Sequence, residues 1–260
     1  MKFIDTHAHI YSRKFDGDRE EMILRSQQNG VKRIYMPNID LDSLEPMLEL
    51  EARFPGVCIP TIGLHPCDVN PDFETVLGQL KQLMDRRDFA GIGETGIDLY
   101  WDKTYVEEQK EALRMQIAWA KNKGWPIILH CRNSIAETIE VIRDAYDSSL
   151  FGIFHCFSGS VEQAGLIREM GFYLGIGGTV TYKNSGVADV VKQIGLEAVV
   201  LETDAPYLAP VPFRGKRNSP EHIPVIANHL AGVLGCGLAE VAEQTTHNAL
   251  SVFNHLDDEL

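Results

Sequence analysis

The sequence predicts an α/β chain closed into a single barrel. Three observations carry that expectation. Short apolar runs alternate with longer amphipathic stretches from one end to the other, the pattern of repeated βα units around a parallel sheet. The runs number eight, the count that closes such a barrel, and the length of 260 residues is close to the usual size of about 250. No linker, low-complexity segment or internal repeat interrupts the pattern, so one domain over 1–260 is expected, and 44% apolar residues suffice for one large core.

The strands are expected near 2–7, 32–37, 57–63, 89–94, 126–131, 151–156, 172–176 and 198–202. Between them, Ser134 with Glu137, Thr104 with Glu107 and Ser160 with Gln163 read as capping boxes. Ser219 followed by Pro220 offers an N-cap with proline at the first helical position. Leu113, Ile117 and Ala120 recur at i, i+4 and i+7, which predicts a helix over 104–123 with one face on the sheet. Residues 219–254 read as two outer helices.

Composition narrows the function classes. The N-terminus lacks the order of a signal peptide and no apolar run approaches the roughly 18 residues of a membrane span, which predicts a soluble cytoplasmic protein. Five cysteines without CxxC spacing argue against a disulfide framework and a structural zinc site. A net charge of −13 weighs against a protein that coats nucleic acid through a basic face. It leaves phosphate substrates open, because divalent ions invert the local sign of an acidic site.

Barrel enzymes place their chemistry at the C-terminal ends of the strands. Strand one ends in His7 and His9, which leave it on the same side because side chains alternate with period two. Strand four ends in Glu94, strand five in His130, strand six in His155 and strand eight in Asp204. Four imidazoles and two carboxylates exceed what one catalytic ion with an open position uses, but suit two divalent ions bridged by a carboxylate. Glu94 is the expected bridge, with His7, His9 and Asp204 on one ion and His130 and His155 on the other. Nitrogen and oxygen ligands are compatible with zinc, manganese or magnesium. Cys131 and Cys156 each follow a predicted ligand and should face the helix layer.

Seven motifs in order carry a resemblance over almost the whole chain: Asp5-Thr6-His7-Ala8-His9, Gly63-Leu64-His65-Pro66, Gly93-Glu94-Thr95-Gly96-Ile97-Asp98, His130-Cys131-Arg132, His155-Cys156-Phe157-Ser158-Gly159, Glu202-Thr203-Asp204-Ala205-Pro206-Tyr207 and Arg214-Gly215-Lys216-Arg217-Asn218. The chain resembles the TatD family of metal-dependent deoxyribonucleases, within the amidohydrolase superfamily of metal-dependent barrels. The resemblance implies a (β/α)8 TIM barrel that cleaves phosphodiester bonds of DNA, sometimes RNA, as an exonuclease. It carries the metal ligands onto His7, His9, Glu94, His130, His155 and Asp204. The attacking group expected there is a hydroxide activated by the two metals, with Asp204 as general base.

Further residues are assigned to the substrate side. His65 is expected to hydrogen-bond phosphate or leaving group. Arg132 takes phosphate bidentately or pairs with a surplus acid. Glu202 orients a ligand or holds an accessory ion; Asp98 does the same or closes a turn. Arg214, Lys216 and Arg217 guide a polynucleotide backbone or dock on acidic helices. Tyr100, Trp101, Tyr182 and Tyr207 offer stacking faces on candidate rim loops, and Gly175-Ile176-Gly177-Gly178 resembles a phosphate-cradling turn. His222, His229, His247 and His255 are given no site role. The expected partner is therefore nucleic acid, single-stranded DNA first, with no protein partner indicated. Hydrolysis of small esters or amides, or of an aminoacyl ester on tRNA, is the alternative reading of the same centre.

Overall fold

A computed structural model describes residues 1–254. Its eight strands are β1 (Phe3–Asp5), β2 (Val31–Met36), β3 (Cys58–Pro60), β4 (Ile92–Asp98), β5 (Ile127–Arg132), β6 (Gly152–Phe154), β7 (Tyr173–Ile176) and β8 (Val199–Leu201). Helices follow in alternation: α1 (Arg19–Gln28), α2 (Leu44–Arg53), α3 (Phe73–Met84), α4 (Val106–Lys123), α5 (Ile135–Ala145), α6 (Val161–Glu169), α7 (Val187–Ile194), α8 (Ile223–Leu234) and α9 (Leu238–Val252). Every strand pair is parallel, in the orders β1-β2-β3 and β4-β5-β6-β7-β8.

Two narrow junctions join these sheets into a ring. Ile62 bridges Ile92 between β3 and β4, where Gly93 N–H donates to Ile62 O at 2.7 Å. Ala8 bridges Ala205 between the first and last strands, flanked by His9 N–H to Ala205 O at 2.7 Å and Asp204 N–H to His7 O at 2.9 Å. The barrel is thus knitted across its mouth by the segments that carry His7, His9 and Asp204.

Alternation along the strands sorts the core. Ile4, Tyr35, Ile128, Ile153 and Val200 form one buried cluster with Val252 and Phe253, and Phe253 stacks on Tyr35 at 3.7 Å between centroids. The end of α9 therefore packs against strand residues on the barrel's inner side. Phe3, Ile34, Ile127, Leu129, Leu174 and Leu201 belong to the larger cluster shared with the helices. No single helix among the described residues is long and apolar enough to cross a membrane.

Strand four departs from expectation. Instead of ending at 94 it runs to Asp98, with Thr95, Gly96 and Asp98 in register with Leu129, His130 and Arg132. The Gly-Glu-Thr-Gly sequence has loop character, but pairing with β5 on a fully buried edge overrides it. Gly96 is required there: at φ +148° an added Cβ would lie 2.0 Å from His130 O.

Among the predicted caps, Ser160 and Gln163 form the reciprocal capping box. The Ser134 hydroxyl instead donates to Ile97 O, tying α5 to the end of β4. Thr104 lies outside α4, whose N-cap is Tyr105. Pro220 opens a 3-10 turn ahead of α8. His255 lies outside the described residues.

Candidate metal centre

The five other residues predicted to hold metal gather around Glu94, and the two oxygens of its carboxylate face different partners. Oε2 lies 3.2 Å from His7 Nε2 and 3.4 Å from His9 Nε2. Those two nitrogens are 3.9 Å and 3.6 Å from Asp204 Oδ1. Oε1 lies 2.7 Å from His130 Nδ1, 2.9 Å from His155 Nε2 and 3.4 Å from His65 Nε2. Glu94 is 2% exposed, and its own N–H is fixed by Asn38 O at 3.0 Å.

Hydrogen bonds behind the rings set which nitrogen carries a proton. The Tyr11 hydroxyl donates to Pro37 O at 2.6 Å, so its oxygen is left to accept from His9 Nδ1 at 2.8 Å. Neutral His9 therefore presents a lone pair from Nε2 toward Glu94 Oε2 and toward His7 Nε2, 3.3 Å away. In the same way His130 Nε2 donates to Asp98 Oδ2 at 2.9 Å, which turns the lone pair of Nδ1 onto Glu94 Oε1. Acceptors so close need positive charge between them. Protons supply it in the metal-free protein, and a nitrogen and oxygen donor set of this kind fits divalent cations.

The titration shifts follow. Burial pulls toward a raised Glu94 pKa, but the charges of His155, His65 and His7 outweigh it and hold the carboxyl well below its ordinary range. Burial works against charge on His9 and His155. The groups facing them prevail and raise both well above an ordinary histidine: Tyr11, Asp204 and Glu94 for His9, Glu94 and Glu202 for His155. His7, buried and next to the His155 ring at 3.8 Å, is lowered. Three groups of donor atoms, His7/His9/Glu94, His7/His155/Asp204 and His65/Glu94/His130, are each compact enough to share one ion.

His65 differs from its neighbours. Cys67 N–H donates to its Nδ1 at 3.1 Å, so the neutral ring carries its proton on Nε2 and offers a donor to the centre. Glu202, assigned to the substrate side, is fully buried; it accepts from Cys156 N–H at 2.7 Å and backs His155 Nδ1 at 3.5 Å. Asp98 combines both of its expected roles, since Oδ1 accepts from the Tyr100 and Trp101 N–H groups while Oδ2 holds His130.

The rim cations divide. Arg132 forms no ion pair among the described residues; its guanidinium stacks 3.9 Å from the Tyr100 ring centroid and 5.1 Å from that of Trp101. Arg214 lies 4.5 Å over Tyr182. Arg217 is drawn away, with its guanidinium forked onto Asp18 at 2.6 and 2.8 Å. Docking on an acidic helix cap thus describes Arg217 and not Arg214. Cys131 and Cys156 are half-buried, with Cys156 in the left-handed region at φ +47°.

A family model described as TatD-related DNase matches residues 4–254. The chain belongs to the TatD family. It is a metal-dependent hydrolase with the TIM-barrel fold of that family. The Bacillus subtilis protein YabD, named an uncharacterized metal-dependent hydrolase, is 37% identical over 250 residues, 96% of this chain and 98% of the relative. A Dickeya dadantii relative, named 3'-5' ssDNA/RNA exonuclease TatD, is 29% identical over 255 residues, 96% of this chain and 97% of its own. The crystal structure of the TatD homologue YjjV from Escherichia coli K12 superposes with a TM-score of 0.91 at 31% identity, covering 97% of this chain and 98% of that one.

Within this TatD-family centre, the residue that sequence reasoning missed is Tyr11. Its hydroxyl reaches His9 across a turn closed by Ser12 N–H to His9 O at 3.0 Å, which strand alternation does not describe. Asp5, which opens the first motif, was given no role of its own. Its carboxylate accepts from Thr203 Oγ1 at 2.6 Å and from the Thr203 and His7 N–H groups, which locks the segment of His7 to that of Asp204. Burial raises Asp5 to about 8 against those donors. Only ring closure brings Asp5 and Thr203 together.

Proposed function

We propose that this TatD-family hydrolase cleaves phosphodiester bonds at the 3′ end of single-stranded DNA, and of RNA, with two divalent cations held on either side of Glu94. His7, His9, Asp204 and Glu94 Oε2 would hold one; His130, His155 and Glu94 Oε1 would hold the other. The observation that carries this is the division of the Glu94 oxygens between two sets of imidazoles. The name of the Dickeya dadantii relative supports the substrate and the polarity. When bound, magnesium, manganese or zinc supplies Lewis-acid charge that makes water nucleophilic near neutral pH and offsets charge on the phosphate oxygens.

The chain's own residues do the rest. Asp204, with Oδ1 turned to His7 and His9, has Oδ2 to take the proton of the attacking water. His65 donates from Nε2 to a phosphate or leaving-group oxygen. Tyr11 and Asp98 keep the His9 and His130 lone pairs aimed inward. Arg132, held by Tyr100 and Trp101, presents its N–H edge to phosphate.

The test is hydrolysis of an end-labelled single-stranded oligonucleotide by metal-stripped protein resupplied with magnesium, manganese or zinc, beside Glu94→Ala. A metal-dependent ladder that shortens from the 3′ end and is absent in the variant is expected. Asp204→Asn should retain metal and lose turnover; full turnover would remove its general-base role. No cleavage by a protein holding two ions would favour the ester or aminoacyl-ester reading, which the net charge of −13 supports.

A further inference from the structure

The loops after β7 and β8 border a half-open groove of about 480 Å³, lined by Tyr182, Lys183, Asn184, Ser185 and Arg214 among others. Its walls are fixed to one another. The Tyr182 hydroxyl donates to Ala209 O at 2.8 Å, and Val211 N–H donates to Thr181 Oγ1 at 2.9 Å. The backbones touch where Gly178 meets Leu208: a Cβ on Gly178 would lie 2.1 Å from Leu208 O. The loop that supplies Arg214 also carries Asp204, and it meets the loop after β7 again at Gly177, where a Cβ would lie 3.4 Å from Glu202 O.

Its charge is unusual for this chain. The sequence holds 37 acidic residues, yet among the described residues neither Lys183 nor Arg214 forms an ion pair. Arg214 lies over the Tyr182 ring instead, 4.5 Å from its centroid, a contact that restrains the guanidinium and leaves N–H donors for a planar or tetrahedral oxyanion. Barrels of this architecture frequently bind phosphate between the loops after strands seven and eight.

We propose that this groove binds the phosphate and sugar of a nucleotide next to the one being released, with Arg214 and Lys183 on its phosphodiester anion. The inference rests on the phosphodiesterase reading and deepens it: the preferred substrate is a strand with at least one phosphate besides the scissile one. The groove holds that strand in register while the metal centre works on its end.

The experiment is fluorescence anisotropy of the metal-loaded protein with a six-nucleotide, fluorescein-labelled strand carrying cleavage-resistant phosphorothioate linkages. Arg214→Ala and Lys183→Ala are compared with Arg114→Ala, an exposed α4 residue paired with Glu111, and melting temperatures confirm folding. Arg214→Ala and Lys183→Ala should each weaken binding about tenfold and flatten the dependence of log Kd on log salt by about 0.7 per lost phosphate contact. Making one internal linkage a neutral methylphosphonate should weaken the wild type similarly and add little to Arg214→Ala. No binding by wild type, unchanged affinity in both groove variants, or an equal loss in Arg114→Ala would overturn the proposal. A strand that binds through the groove while its unmodified counterpart goes uncut would refute only the nuclease reading. Cleavage with an unchanged KM in Arg214→Ala would refute only the groove.

Discussion

Replacing Asp98 by asparagine tests whether a hydrogen bond outside the centre controls what the centre can hold. The amide oxygen keeps the Tyr100 and Trp101 N–H groups, now at 2.8 and 3.0 Å from Oδ1, so the NH2 group turns to His130 Nε2, 2.9 Å away. Two donors then face each other. His130 escapes by moving its proton to Nδ1, the nitrogen 2.7 Å from Glu94 Oε1, and no longer offers a lone pair to a cation. Loss of such a supporting carboxylate costs about 10- to 100-fold in metal affinity or activity, or about 1.4–2.7 kcal/mol. Two backbone bonds also lose charge assistance at about 1 kcal/mol each, which lowers the melting temperature by roughly 4–8 °C. Metal titration of the stripped protein, turnover and thermal unfolding read the three effects separately. Wild-type metal affinity and turnover in a folded Asp98→Asn protein would refute the tautomer argument.

Two other outcomes follow from the buried network. Gln116 is fully buried; its Oε1 accepts from Leu64 N–H at 2.8 Å and its Nε2 donates to Thr95 Oγ1 at 2.7 Å, next to His65 and Glu94. Gln116→Leu orphans both groups at roughly 1–3 kcal/mol each, of which the added apolar burial returns about 1 kcal/mol; a melting temperature within 2 °C of wild type would contradict this. The metal-free protein should lose stability as pH rises above 6.5. His9, His130 and His155 have raised pKa values, so the stability they lend is complete below the ordinary histidine value and is lost as pH passes through the raised ones. His7 and His65, lowered by burial, act only below about pH 6.5. Metal loading should reverse the trend and release protons to the buffer. A metal-free melting temperature that is flat or rises over that range would count against proton occupancy of the centre.

Much of this was legible in the sequence because it is local. A strand covered on both faces reads as a short apolar run, so all eight strands stood out. Period-two alternation placed His7 and His9 together, and the residue types at the strand ends called for a cationic centre. Strand four was misplaced at its end because Gly-Glu-Thr-Gly has loop propensity, and only pairing with β5 keeps it extended to Asp98. The division of the Glu94 oxygens and the His130 tautomer set by Asp98 depend on pairing between strands, and the Asp5–Thr203 lock depends on closure of the ring. Arg214 and Arg217 are alike in sequence, yet one stacks on Tyr182 and the other finds Asp18. Periodicity and propensity describe a chain over one or two turns; which distant partner a side chain meets depends on packing across the barrel, and tertiary structure alone decides it.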